Sequence, residues 1–175
     1  LVPVGGGGLI AGCSLIAKHL NKKIEIIGVE TELFPSLYNV YNNTNFICGG
    51  STLAEGIAVS NIGKIPLSII KKNVKEVLKV SENSIEEAVS IFLLKDKVVS
   101  EGAGAAGLAA ILENKNKFKN RNVGIFLCGG NIDSRVLSSI LMRDLVRKGQ
   151  IITLSIAMAD KPGQLGAISK LCAEE

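Results

Sequence analysis

The chain has 175 residues, of which 47% are hydrophobic and 21% charged, a length and balance that suit a folded domain with a proper core and exclude a disordered chain. Aromatics make up 4% and Trp is absent, which speaks against a base-stacking nucleic-acid surface, and the net charge is +4. No apolar run approaches the length of a membrane span, so neither membrane nor nucleic acid is an expected partner.

Leu1 to Val4 is extended and apolar and reads as a buried strand. Gly5, Gly6, Gly7 and Gly8 follow, and Leu9 to Leu20 reads as a helix with Leu9, Ile10, Cys13, Ile16, Ala17 and Leu20 near one face. Glycines let the backbone turn sharply here, and the amides that open a helix suit an anion, above all a phosphate. His19, the one histidine, lies at the C-terminal end of that helix and reads as a cap or surface residue. Ile24 to Val29 is a β-branched run ending at Glu30. Strand, helix and strand in that order predict parallel pairing. Glu32, Pro35 and an Asn-rich loop through Asn45 come next, and Gly49-Gly50 breaks the chain before Thr52-Leu53-Ala54-Glu55-Gly56.

Lys75 to Val80 reads as a strand, and Ser84 with Glu87 has capping-box spacing for a helix to about Leu94. A helix follows Ser100-Glu101-Gly102 and runs through Leu112. Val123 to Leu127 reads as a last strand before Cys128-Gly129-Gly130-Asn131 and a helix from near Ser134. The composition shifts at Gly149-Gln150. Ile151 to Met158 alternates as a strand does, and Asp160 to Leu165 turns into a helix. The expected class is α/β. Residues 1–148 would hold an open, mostly parallel sheet flanked by helices, and residues 149–175 the first strand and helix of a second domain. A chain that opens inside a strand at Leu1 and closes inside a helix at Glu174-Glu175 reads as a piece of a longer one.

The basic clusters Lys71, Lys72, Lys75, Lys79 and Lys115, Lys117, Lys119, Arg121 read as solvated faces. Cys13, Cys48, Cys128 and Cys172 form no C-x-x-C pair, so neither a zinc site nor a disulfide framework is signalled, and reduced thiols fit a cytoplasmic protein. Gly102 to Gly107 matches the dinucleotide fingerprint G-x-G-x-x-G, but the acid that should end the next strand to hold the ribose is replaced by Cys128 and glycines. Close helix packing through small residues is the better use of these glycines. Gly5 to Gly8, Glu101-Gly102 and Cys128-Gly129-Gly130 all fall at C-terminal ends of presumed parallel strands, the edge where open α/β sheets bind ligands. A phosphate cradle, a carboxylate and a soft side chain on one edge could hold an organic phosphate with a polar ring.

The strings VPVGGGGLIAG, TLAEGIAV, VSEGAGAAGLAA and FLCGGNID, in this order, resemble the pyridoxal phosphate enzymes of fold type II. Threonine dehydratases (threonine ammonia-lyases) look nearest, with serine racemases and serine dehydratases beside them. The tail from Ile151, with D-K-P-G-Q-L, looks like the start of an ACT regulatory domain. The resemblance implies pyridoxal 5'-phosphate as cofactor, threonine or serine as substrate, and β-elimination to a 2-oxo acid and ammonia, with serine racemization the alternative. It also implies an amino-acid or nucleotide effector and a homo-oligomer.

By the same resemblance, Gly5, Gly6, Gly7, Gly8 and Leu9 would wrap the cofactor phosphate, Cys128 would face the pyridine nitrogen, and Glu101 would lie near the ring. Glu55 takes the place of an acidic residue near the active site. Glu30 matches the first ligand of a cation site in some relatives, but the second carboxylate six residues on is Ser36 here. The family's Schiff-base lysine, in an S-x-K-x-R context, has no counterpart in this sequence, so the chain would not complete an active site by itself. Two readings of other classes compete: a nicotinamide-dependent oxidoreductase and a non-catalytic ligand-binding module.

Overall fold

The computed structural model describes residues 1–174 and divides the chain into two compact units, Leu1–Asp144 and Leu145–Glu175. The first unit is built on a three-stranded parallel sheet of β1 (Val2–Pro3), β2 (Ile26–Thr31) and β3 (Val74–Val80), in that order. Val2 pairs with Gly28 and Pro3 with Val29. From Ile27↔Glu76 onward β2 and β3 run in step to Thr31↔Val80, after an irregularity between Ile26 and Ile27. All six residues of β2 are buried, as expected of a central parallel strand covered on both faces. The strand is displaced from the expected Ile24–Val29, so that Glu30 and Thr31 belong to it and are buried with it.

The expected helix after the glycines is α1 (Gly8–Leu20), with Gly7 as its N-cap at φ +90°. Two further helices occupy stretches without an expected helix. These are α2 (Ser36–Asn42), inside the supposed Asn-rich loop, and α3 (Lys64–Asn73). Ile10, Leu37 and Ile70, from α1, α2 and α3, close with Val2, Val4 and Val77 of the sheet region into one apolar cluster. On the other side α4 (Glu82–Ile91) and α5 (Gly102–Glu113) pack together. Ile85, Ala88 and Val89 of α4 meet Ala105, Ala106 and Ala109 of α5, with Val29 and Val80 beneath them.

The cap of α4 is Ser81, whose Oγ accepts from the Ser84 amide at 3.3 Å, rather than the expected Ser84. The helix ends in a π-helical turn, Phe92–Asp96, and Lys97 at φ +59° closes it. A short α6 (Lys115–Phe118) follows α5.

The expected strand Val123–Leu127 is not one. The segment runs beside β1, with the Leu1 amine donating to the Gly124 carbonyl at 2.7 Å and the Phe126 amide to the Leu1 carbonyl at 3.2 Å. β1 is two residues long and Pro3 has no N–H to give, so no ladder forms. Then α7 (Ser134–Arg147) begins where the sequence places it, and Ile140 is fully buried on it.

In the second unit Gly149, at φ +68°, follows the end of α7, and α8 (Gln164–Glu174) forms where a helix is expected. The alternating stretch Ile151–Met158 is not a strand: it carries no regular secondary structure, and Ile152, Leu154, Ile156 and Met158 are exposed. Alternation predicts a strand only where a partner edge is present, and among the described residues none pairs with it. Among the described residues no helix is long and apolar enough to cross a membrane.

Candidate functional site

The glycine turn joins β1 to α1, and its four positions are not equivalent. Gly7 is buried, and a β-carbon there would stand 3.0 Å from Ile70 Cδ1 and 3.0 Å from Pro66 Cβ, so α3 leaves no room for a side chain. Gly5 is pressed from another side, its β-carbon position lying 3.1 Å from the Gly56 carbonyl. Gly6 and Gly8 are different. Each has nothing within 4 Å of where a β-carbon would point, and neither needs a positive φ. Protein packing and backbone geometry do not require glycine at these two positions, and they open onto free space.

Free amides accompany that space. The first N–H groups of α1 have no carbonyl one turn behind them, the first turn holds no acidic side chain, and the helix dipole adds partial positive charge. An anion's oxygens fit such a turn. Leu9, half-exposed, continues it.

Glu55 opens a 3-10 turn, Glu55–Ile57, and is exposed. This turn backs the cradle through the Gly56 carbonyl, and Gly56 also faces Glu101, whose Oε1 lies 3.4 Å from the Gly56 β-carbon position. Glu101 is the N-cap residue of α5, and its amide donates to the Gly129 carbonyl at 3.2 Å. Gly104 of α5 faces the Cys128 and Gly129 carbonyls, each 2.9 Å from its β-carbon position. Gly5, Gly56, Glu101, Gly129 and Cys128 therefore form one run of close neighbours, drawn from four separate stretches of sequence.

The three glycines of the G-x-G-x-x-G string are used for packing. A β-carbon at Gly102 would collide with the Leu53 carbonyl, one at Gly104 would meet Ser100 Oγ at 2.7 Å, and one at Gly107 would meet Ile125 Cβ at 3.2 Å.

The Cys128 thiol is partly buried, and burial pushes it above its ordinary value, with the Glu101 carboxylate and Cys13 adding to the shift and a backbone hydrogen bond opposing it. It stays protonated at neutral pH.

Glu30 is fully buried at the end of β2. Its carboxylate accepts from Ser36 Oγ at 3.0 Å, from the Leu37 amide at 2.8 Å and from the Tyr38 amide at 2.8 Å, so it caps α2 from a neighbouring strand. Burial raises its pKa, and these three hydrogen bonds pull the other way. Among the described residues no group of three or more His, Cys, Asp or Glu gathers to hold a metal ion.

Sequence reasoning passed over Glu82. Its carboxylate accepts from Thr31, Thr52 and the Leu53 amide, tying β2 and the 52–54 stretch to α4. A groove of about 1050 Å³ runs along α1, lined by Gly8, Leu9, Cys13, Ile16, Leu20 and Phe126 among others. Glu55, Glu101 and Cys128 do not line it, so it is not where those groups gather.

A family model described as pyridoxal-phosphate dependent enzyme matches residues 1–129. The L-threonine ammonia-lyase of Thermotoga maritima is 40% identical over 176 residues, covering 99% of this chain and 44% of its own length. The catabolic L-threonine dehydratase TdcB of Escherichia coli K12 is 37% identical over 146 residues, covering 80% of this chain and 44% of its own. A solved threonine deaminase, from T.th., is similar with a TM-score of 0.70 and 31% identity, over 75% of this chain and 49% of that one. The serine racemase of Dictyostelium discoideum is similar with a TM-score of 0.67 and 34% identity, over 75% of this chain and 43% of that one. The chain spans 44% of the length of both curated relatives. With the glycine turn, Glu101 and Cys128 all inside the matched residues, or at their edge, the chain belongs to the pyridoxal-phosphate dependent enzyme family.

Proposed function

We propose that this chain supplies the cofactor-holding part of a threonine ammonia-lyase, which converts threonine to 2-oxobutyrate and ammonia by β-elimination. The observation that carries the cofactor reading is the free space at Gly6 and Gly8, where neither packing nor backbone demands glycine. The likeness to the Thermotoga maritima L-threonine ammonia-lyase supports threonine as substrate.

When bound, pyridoxal phosphate supplies the electron sink that lets a proton leave the amino acid's α-carbon. The residues of this chain hold and tune it. Backbone amides from Gly5 to Leu9 would bind the phosphate, with the positive end of α1 behind them. Cys128 would face the ring nitrogen as a neutral thiol. A thiol is a weak donor and does not keep that nitrogen protonated as a carboxylate would, which favours prompt elimination over long-lived charge delocalisation. Glu101 would stand beside the ring, and Glu55 would be an acid at the rim. In this reading Glu30 serves α2 as an anchor rather than a cation as a ligand, because both its oxygens already accept hydrogen bonds.

The cofactor-anchoring lysine would come from the part of the relatives' length that this chain does not span. We also read residues 149–175 as the start of an ACT-like domain that binds an amino-acid or nucleotide effector in a homo-oligomer. Serine is the second substrate reading, favoured by the likeness to the Dictyostelium discoideum serine racemase. Assay of the full-length enzyme decides among these. Release of 2-oxobutyrate from threonine supports the proposal. Racemization of serine without release of a 2-oxo acid, or the absence of an absorbance band that borohydride abolishes, overturns it.

A further inference from the structure

Glu82 lies in the first turn of α4, and its carboxylate is fully engaged. Oε1 accepts from Thr31 Oγ1 at 2.8 Å and from Thr52 Oγ1 at 2.6 Å, and Oε2 accepts from the Leu53 amide at 2.8 Å. Each hydroxyl gives its one proton to Glu82 and keeps its lone pairs for others. Thr52 Oγ1 accepts from the Ala54 amide at 3.0 Å, and Thr31 Oγ1 from the Leu33 amide at 3.3 Å. The direction of every bond is thus fixed by an acceptor-only carboxylate at the centre.

The far side of the segment that Glu82 holds faces the cradle. The Leu53 carbonyl lies against Gly102, where it excludes any side chain, and the Gly56 carbonyl lies against Gly5. Between these contacts the Ile57 amide donates to the Ala54 carbonyl at 2.9 Å, which makes the 3-10 turn carrying Glu55 a continuation of the clamped stretch. One carboxylate therefore fixes, through Thr52 and Leu53, the wall behind the first glycine of the cradle.

We propose that Glu82 is a positioning residue for the cofactor cradle, acting through the 52–57 segment. This rests on the reading of Gly5 to Leu9 as the phosphate site. A purely local role in opening α4 is already filled by Ser81, whose Oγ accepts from the Ser84 amide. The two roles can therefore be separated by neighbouring substitutions.

The test uses the full-length enzyme and pyridoxal phosphate itself. Cofactor affinity is titrated by absorbance, amide exchange is followed over residues 53–57, and the melting temperature of the cofactor-free protein is recorded. Glutamine at this position has one acceptor oxygen and must turn an NH2 group toward a donor. Glu82→Gln is expected to weaken cofactor affinity roughly tenfold and to speed exchange at Leu53 and Ala54. Ser81→Ala is expected to lower the melting temperature while leaving affinity within about twofold. Thr52→Val removes one of the three bonds to Glu82, together with the acceptor of the Ala54 amide, without changing a residue of α4, and carries the same test should Glu82→Gln not fold, with an expected loss of several-fold. The inference is overturned when wild-type enzyme binds the cofactor and folded Glu82→Gln or Thr52→Val binds it equally well, or when Ser81→Ala weakens binding as much as Glu82→Gln. Failure of the wild-type enzyme to bind pyridoxal phosphate would instead overturn the cradle reading on which the inference rests.

Discussion

The Glu101 carboxylate occupies the place where a side chain on Gly129 would begin, with Oε1 2.5 Å from the ideal β-carbon position. The same two residues are joined through the backbone, the Glu101 amide donating to the Gly129 carbonyl at 3.2 Å. Gly129 also takes φ +96°, in the region that disfavours a β-carbon. Gly129→Ala must then both strain the backbone and push the carboxylate aside. Its expected cost is at least about 1–3 kcal/mol of stability, read from denaturant midpoints. Its cofactor affinity should fall as well, because Glu101 and Cys128 move together. Wild-type stability in the alanine variant would show that the turn relaxes without effect.

Gly6 and Gly7 are adjacent and predict opposite outcomes. Gly6→Ala meets no atom within 4 Å beyond its own chain neighbours and needs no positive φ, so stability should change by less than about 1 kcal/mol. Gly7→Ala meets Pro66 and Ile70 at 3.0 Å and φ +90°, and should destabilise by about 1–3 kcal/mol or more. Cofactor affinity should fall in the Gly6 variant despite its intact fold, by roughly tenfold if one charge-assisted hydrogen bond is lost. Gly6→Asp adds negative charge to bulk and should lose more. Thermal melting and cofactor titration, done side by side, separate the two effects. Unchanged affinity in Gly6→Asp would count against a phosphate site there.

The elements that were legible in the sequence are those whose signal is local. The glycine turn into α1, the β-branched β2 and the small-residue α5 each state their structure within about a dozen residues. The elements missed depend on partners far away. α2 is the exception in distance: its cap Glu30 is only 7 and 8 residues from the Leu37 and Tyr38 amides it accepts from, but it reaches them from the end of the preceding strand, which no helix-capping pattern signals. Val123–Leu127 has strand composition, but the neighbour it would pair with is two residues long and includes Pro3. The alternation of Ile151–Met158 has no partner edge among the described residues. The candidate site follows the same rule. Its glycines and Cys128 could be found from motif spacing, whereas Glu82 could not, because its three donors lie 29 to 51 residues away in sequence.

Glu30 gives a pH prediction. Burial raises its folded pKa above the 4.5 of an ordinary glutamate, so the folded state holds this proton more tightly than the unfolded chain does. Its contribution to stability is fully present below that unfolded value and is lost as pH rises through the folded one. Glu30→Gln removes the titration, but its NH2 must face the Leu37 or Tyr38 amide. The variant should be about 1–3 kcal/mol less stable, and the advantage of wild type should shrink from acid toward neutral pH. Urea midpoints across that range test the sign. An advantage that grows with pH would mean the α2 amides outweigh burial and depress the pKa.

Cys128 offers the last test, in its reactivity. The thiolate is the reactive form, and burial together with the Glu101 carboxylate raises this thiol above its ordinary 9.0. Cys172 is exposed on α8. Near neutral pH iodoacetamide should therefore modify Cys172 well before Cys128, as followed by mass spectrometry of peptides from the full-length enzyme. The rate at Cys128 should climb only at pH values above the usual cysteine range. Added pyridoxal phosphate should slow modification of Cys128 and leave Cys172 unchanged, because in the proposed function the first thiol would face the cofactor's ring nitrogen and the second would not. Equal rates at the two cysteines near neutral pH would contradict the burial of Cys128. Normal slow reaction at Cys128 with no protection by the cofactor would leave the fold intact and remove Cys128 from the cofactor site.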